Sequence, residues 1–89
     1  MRFDEDFDRE KSEWNKRTRG IDFVEARKVF RDPVEVIGPG NTVDGEVRWI
    51  RVGMASGKIW AVGYTERNGK IRIFSVRPPR DYEKEAYYV

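Results

Sequence analysis

With 89 residues, the chain is long enough for one domain with a modest core and too short for two. Charged residues make up 38% of it, and no apolar run approaches the roughly 20 residues of a membrane helix, so a soluble protein without membrane contact is expected. Cysteine and histidine are both absent, which excludes disulfides, thiolate metal sites, cysteine nucleophiles and imidazole acid–base chemistry.

The opening MRFDEDFDRE holds five acids and two bases. It does not read as a secretory signal, and with no cysteine a cytoplasmic location is expected. Residues 2–6 read as a short first strand. The alternating Asp4, Asp6 and Asp8 have the composition of a Mg²⁺ site. They fit better as solvent-facing acids, with Asp8 as a helix N-cap, so no metal or other cofactor is expected. Residues 9–18 read as a polar surface helix stopped by Gly20. Phe7, Trp14 and the stem of Lys11 form its thin apolar stripe. A second helix is predicted over 23–31. Asp22 and Glu25 have capping-box spacing, Phe23, Ala26 and Phe30 recur at helical intervals, and Asp32-Pro33 ends it.

Val34–Ile37 reads as a short strand, and GPGNTVDG (38–45) as a mobile loop. In the next strand, Glu46–Gly53, Val47, Trp49 and Arg51 point one way while Arg48, Ile50 and Val52 point the other. After a turn at 54–57 come two β-rich runs, Ile59–Thr65 and Ile71–Arg77, around Asn68-Gly69. That dipeptide is the strongest short-range hairpin signal, because both turn positions need positive φ. A two-residue turn sets Arg67 opposite Lys70, Thr65 opposite Arg72, Tyr64 opposite Ile73, Val62 opposite Ser75 and Trp60 opposite Arg77. One face then carries Trp60, Val62, Tyr64, Glu66, Ile71, Ile73, Ser75 and Arg77. The other carries Ile59, Ala61, Gly63, Thr65, Arg67, Arg72, Phe74 and Val76. Residues 80–88 close the chain as a short helix. The class is α+β: an antiparallel meander with two N-terminal helices and a C-terminal one, in a single domain over 1–89.

Net charge is only +2, yet residues 67–84 hold six bases and two acids. A basic end implies an anionic partner, and nucleic acid is the commonest one. No Walker, Rossmann, zinc or Ser-His-Asp pattern is present.

The ordered motifs carry more. Phe7-Asp8, Lys11 and Asn15 are followed by Thr18-Arg19-Gly20, then Ile21, Phe23, Ala26 and Asp32-Pro33. Glu46 and Arg48 open a strand. Tyr64-Thr65, Arg67, Arg72-Ile73, Ser75 and Arg77 frame the hairpin, and Glu83 and Tyr87 lie on the last helix. In this order and spacing the chain resembles the BrnT family of type II toxin–antitoxin ribonucleases, whose fold is related to RelE toxins. The family's Lys-His pair is Thr18-Arg19 here, and its usual Trp is Phe7.

The resemblance implies an endoribonuclease that inhibits translation. It also implies a cognate BrnA-like ribbon-helix-helix antitoxin, which would bring operator DNA. RNA cleavage by the 2′-hydroxyl without metal needs charge stabilisation on the phosphorane, which the planar, always-charged guanidinium supplies. Arg77, Arg67, Arg48 and Arg72 are the candidates in that order, with Glu46 and Glu66 as possible bases. For Arg77 the competing role is an anchor for the last helix through Glu83 or Glu85. Arg80, Lys84 and Lys70 would steer the RNA backbone, and Tyr64 would stack on a base. The alternative reading is a non-catalytic RNA- or protein-binding module of the same fold, motivated by the altered Thr18-Arg19 pair.

Overall fold

The computed structural model describes residues 1–89. A four-stranded antiparallel sheet of β1 (Val36–Pro39), β2 (Trp49–Ala55), β3 (Lys58–Arg67) and β4 (Lys70–Arg77) runs in sequence order. Helix α1 (Arg9–Arg19) and a 3₁₀ helix (Glu25–Arg31) precede it, and α2 (Asp81–Tyr88) follows. The second N-terminal helix is thus a short 3₁₀ segment rather than an α-helix over 23–31. No helix is long and apolar enough to cross a membrane.

Local chemistry explains these boundaries. Asp8 caps α1 by accepting the Lys11 N–H at 3.0 Å, and Gly20 (φ 81°) closes it with its N–H on Lys16 O. Asp22 and Glu25 exchange side-chain-to-backbone hydrogen bonds at 2.8 and 3.1 Å, the reciprocal pair their spacing predicts. Asp32 leaves the helix in extended conformation ahead of Pro33, as the residue before proline must. Residues 2–6 do not form a strand. Phe3 makes one parallel bridge to Ile71, with Asp4 N–H on Ile71 O at 2.8 Å and Ile71 N–H on Arg2 O at 2.9 Å.

The core lies between one sheet face and the segment from Phe7 to Phe30. Ile21, Phe23, Ala26 and Val29 are buried against Trp60, Val62, Tyr64, Ile73 and Val76. Phe30 meets Tyr64 edge-on at 4.9 Å. The 3₁₀ helix packs so tightly that a Cβ on Gly53 of β2 would stand 2.9 Å from both Val29 Cγ1 and Val29 O. By contrast, α1 docks through polar groups. Ser12 Oγ accepts the Phe23 N–H and Asn15 Nδ2 donates to Ile21 O, each at 2.9 Å. Trp14, expected on the apolar stripe, faces solvent at 47% exposure with Arg19 over its ring. A helix this polar is held by two buried hydrogen bonds and needs no tryptophan anchor.

The 38–45 stretch is more ordered than its composition suggests. Val43 and Glu46 exchange backbone hydrogen bonds across Asp44-Gly45, whose φ values are 51° and 77°. Ser56-Gly57 and Asn68-Gly69 repeat that double positive φ. All three are type I′ hairpin turns, which match strand twist.

The last hairpin follows the expected register from Arg67↔Lys70 to Tyr64↔Ile73 and then departs from it. A bulge leaves Phe74 without a partner. Gly63 pairs with Ser75, Val62 with Val76 and Ala61 with Arg77. One extra residue reverses every following side chain. Val76 therefore enters the core, while Ser75 and Arg77 move to the opposite face. The expected pairs Val62–Ser75 and Trp60–Arg77 do not form.

Candidate functional site

The bulge gathers the arginines. Arg48, just before β2, and Ile50 of β2 lie on the face away from the core, β3 contributes Ala61 and Gly63, and β4 adds Phe74, Ser75 and Arg77. Helix α2 packs over β1 and β2 on this face and leaves the rest open. Between the β1–β2 loop and the β4–α2 connection lies a cleft of about 370 Å³. Arg48, Arg77, Arg80, Ser75, Phe74 and Asn41 line it, and its lining contains no acidic residue.

Each candidate arginine has a distinct setting. Arg77 donates from both terminal nitrogens to Glu83, at 2.7 and 3.0 Å. Glu83 is 5% exposed and also accepts the Arg80 N–H at 2.7 Å. Burial pushes the Glu83 carboxyl up, but the Arg77 fork and the Arg80 amide outweigh it and hold it below the usual glutamate value. The fork anchors α2, yet Arg77 still lines the cleft. A guanidinium has five N–H donors, so two given to Glu83 and one to Pro78 O at 3.2 Å leave two to spare. Arg48 lies with its guanidinium carbon 4.6 Å from the Phe74 ring centroid. Its Nε is buried and has no hydrogen-bond partner.

A second group lies toward the β3–β4 turn on the same face. Arg67 grips Glu46 with Nε and one terminal nitrogen at 2.7 and 3.1 Å. This holds Glu46 below the usual glutamate value, with Arg72 and Arg48 adding to the effect. Such a carboxylate is a weak proton acceptor at neutral pH. Arg72 gives its Nε to Asp6 O at 2.6 Å.

Other candidates lie elsewhere. Glu66 projects to the core side of the sheet, in register with Ile71. Tyr64 is 5% exposed within the core, so no base can stack on it in this arrangement. Lys70 borders the turn, and Lys84 lies with Met54, Lys58 and Pro78 beyond the cleft. Asp4, Asp6 and Asp8 do not converge: Asp4 accepts the Asp6 N–H and Asp8 caps α1. The Thr18-Arg19 pair is also structural. Thr18 Oγ1 donates to Trp14 O at 2.8 Å. Arg19 reaches across to Val76 O on β4 at 2.6 Å.

Sequence reasoning missed Phe74, Asn41 and Tyr82 as cleft residues. One signal was available, because a glycine inside a strand, here Gly63, often marks a bulge. No curated protein matches the chain. Residues 7–83 match the family described as "Ribonuclease toxin, BrnT, of type II toxin-antitoxin system", and the chain belongs to that family.

Proposed function

We propose that the arginine cleft cleaves RNA without a metal ion. The supporting observation is the lining itself: three arginines and no acid in a cleft on the open sheet face. Such a surface attracts phosphate and has no carboxylate with which to hold a divalent cation. The 2′-hydroxyl gives its proton to solvent and its oxygen attacks the adjacent phosphorus, the bond to the 5′-oxygen breaks, that oxygen takes a proton from solvent, and the product carries a 2′,3′-cyclic phosphate. Arg48 and Arg77 stabilise the negative charge on the phosphorane oxygens. Arg80, Arg72 and Lys70 bind flanking phosphates. Arg67 is held in place by Glu46, the one candidate carboxylate on this face.

The same reading gives a RelE-like toxin that stops translation in the cytoplasm. A ribbon-helix-helix antitoxin that also binds operator DNA would neutralise it. Expression should arrest growth and degrade RNA, and co-expression of an adjacent small antitoxin gene should prevent both. The purified protein should cleave RNA in EDTA and leave 2′,3′-cyclic ends. Loss of cleavage in chelator with recovery in Mg²⁺ would overturn the metal-free mechanism.

The alternative of a non-catalytic module draws on Arg19. This residue stands where the family has histidine and is engaged with Val76 O. RNA binding without cleavage or growth arrest would select that alternative.

A further inference from the structure

We propose that Phe74 is a nucleobase seat: a base adjoining the phosphate held by Arg48 stacks on its ring, with the base edge toward Ser75 and Asn41. This rests on the ribonuclease reading and adds what the cleft recognises besides phosphate.

Four observations support it. First, Phe74 is the residue displaced by the β3–β4 bulge and has no cross-strand partner. Bulges re-aim side chains next to functional sites. Second, the ring lies directly over Gly63. A Cβ there would stand 2.8 and 2.9 Å from Phe74 Cζ and Cε1, so the missing side chain lets the ring settle on the sheet. Third, the Arg48 guanidinium covers the Phe74 ring, 4.6 Å from its centroid, and a base takes that place when Arg48 turns to the phosphate. An aromatic face that carries a guanidinium also suits a base, because both are flat and stack on the same π-surface. Arg48 Nε is buried without a hydrogen-bond partner, so turning the guanidinium to the phosphate of the same nucleotide breaks no hydrogen bond at Nε and uncovers that donor. Fourth, the competing aromatics are unsuitable. Tyr64 and Trp60 are buried in the core, and Trp49 projects to the opposite face.

The cleft volume of about 370 Å³ is near the lower end of small-ligand sites and matches one nucleotide unit. A base can reach a side chain in this way only if it is unstacked, so the substrate class is single-stranded RNA.

The test uses a short single-stranded RNA that contains 2-aminopurine and is 2′-O-methylated throughout, so that it binds without being cleaved. The wild-type protein should quench the 2-aminopurine fluorescence. An abasic residue at the same position should weaken binding by about 5- to 150-fold, the range expected for one aromatic–base stack. Phe74→Leu should lose the quenching and weaken binding similarly while melting near the wild-type temperature. Phe74→Tyr should retain both. The nucleobase seat is wrong if the abasic RNA binds wild type as tightly as the intact one, or if Phe74→Leu quenches and binds like wild type. The abasic comparison needs no variant, so a misfolded Phe74→Leu does not remove the test. Cleavage of unmodified RNA with no abasic effect sinks only the seat. Failure of wild type both to bind and to cleave RNA sinks the ribonuclease reading with it.

Discussion

Arg77 anchors α2 through Glu83 and, in the proposed mechanism, also binds phosphate; the two roles are separable by experiment. Truncation to alanine leaves the Glu83 carboxylate buried without its partner, a change that costs roughly 1–3 kcal/mol. In the proposed mechanism it also removes a donor to the phosphate, which typically lowers the rate about 10²- to 10³-fold. Arg77→Ala should therefore lose cleavage far beyond its loss of thermal stability when assayed well below the melting temperature. Arg77→Lys should recover part of the stability and little of the rate, because a point charge cannot reproduce the fork. Activity that falls only in step with stability would make Arg77 an anchor alone and Arg48 the principal phosphate ligand. Glu83 also sets an acid limit. Its folded-state carboxyl titrates below the ordinary value of 4.5, so its contribution is complete above that pH and disappears as pH falls through the lower folded value. Asp32 behaves alike from an ordinary value of 3.8. Its burial is outweighed by hydrogen bonds from the Tyr87 hydroxyl and the Val34 and Met54 amides. Both carboxylates hold α2, so acidification below about pH 4 should release that helix before the sheet melts. Pairwise loss of α2 amide protection in a pH titration checks this, and simultaneous loss of sheet protection would contradict it.

The elements show which parts of a sequence dictate structure locally. Caps, the Asp22–Glu25 box, the Asp-Pro stop and the Asn-Gly turn are each decided by two to four neighbouring residues, and all were legible. The bulge was not. A two-residue turn sets the register beside it, but the displacement of Phe74 depends on space above Gly63 and on Val76 reaching the core. That single displacement decides which face receives Arg77, so the candidate residues could be named from sequence while their grouping could not. Trp14 was misplaced for a related reason: in a polar helix the apolar pattern is too thin to choose a face. The two glycines in mid-strand should respond differently. An alanine at Gly53 meets the backbone carbonyl of Val29, whereas one at Gly63 meets the movable Phe74 ring. Gly53→Ala should cost about 1–3 kcal/mol, with a fall of about 4–8 °C per kcal/mol in a domain of this size. Calorimetry showing Gly53→Ala as stable as wild type would refute the tight contact.

For the molecule as a whole, the sheet separates two tasks. One face buries the aromatic and aliphatic core under the 3₁₀ helix. The other carries the arginines of the cleft, of which Arg77 also anchors α2 through Glu83. Composition revealed the basic end, but its concentration on one face required the full register. The α+β class and the strand order followed from sequence because each strand pairs with its neighbour in the chain.

That sequential pairing governs the order of events during folding. Three hairpins, two joined by two-residue turns and one by residues 40–48, form from local contacts, which favours rapid assembly. The N-terminal segment belongs to another timescale, because Lys11 must find Phe74 O across 63 residues and Arg72 must find Asp6 O across 66. Until those distant partners meet, the outer edge of β4 is an open row of peptide groups available to any other strand. The docking of residues 2–19 thus covers the β4 edge, with Arg2 and Asp4 pairing to the backbone of Ile71.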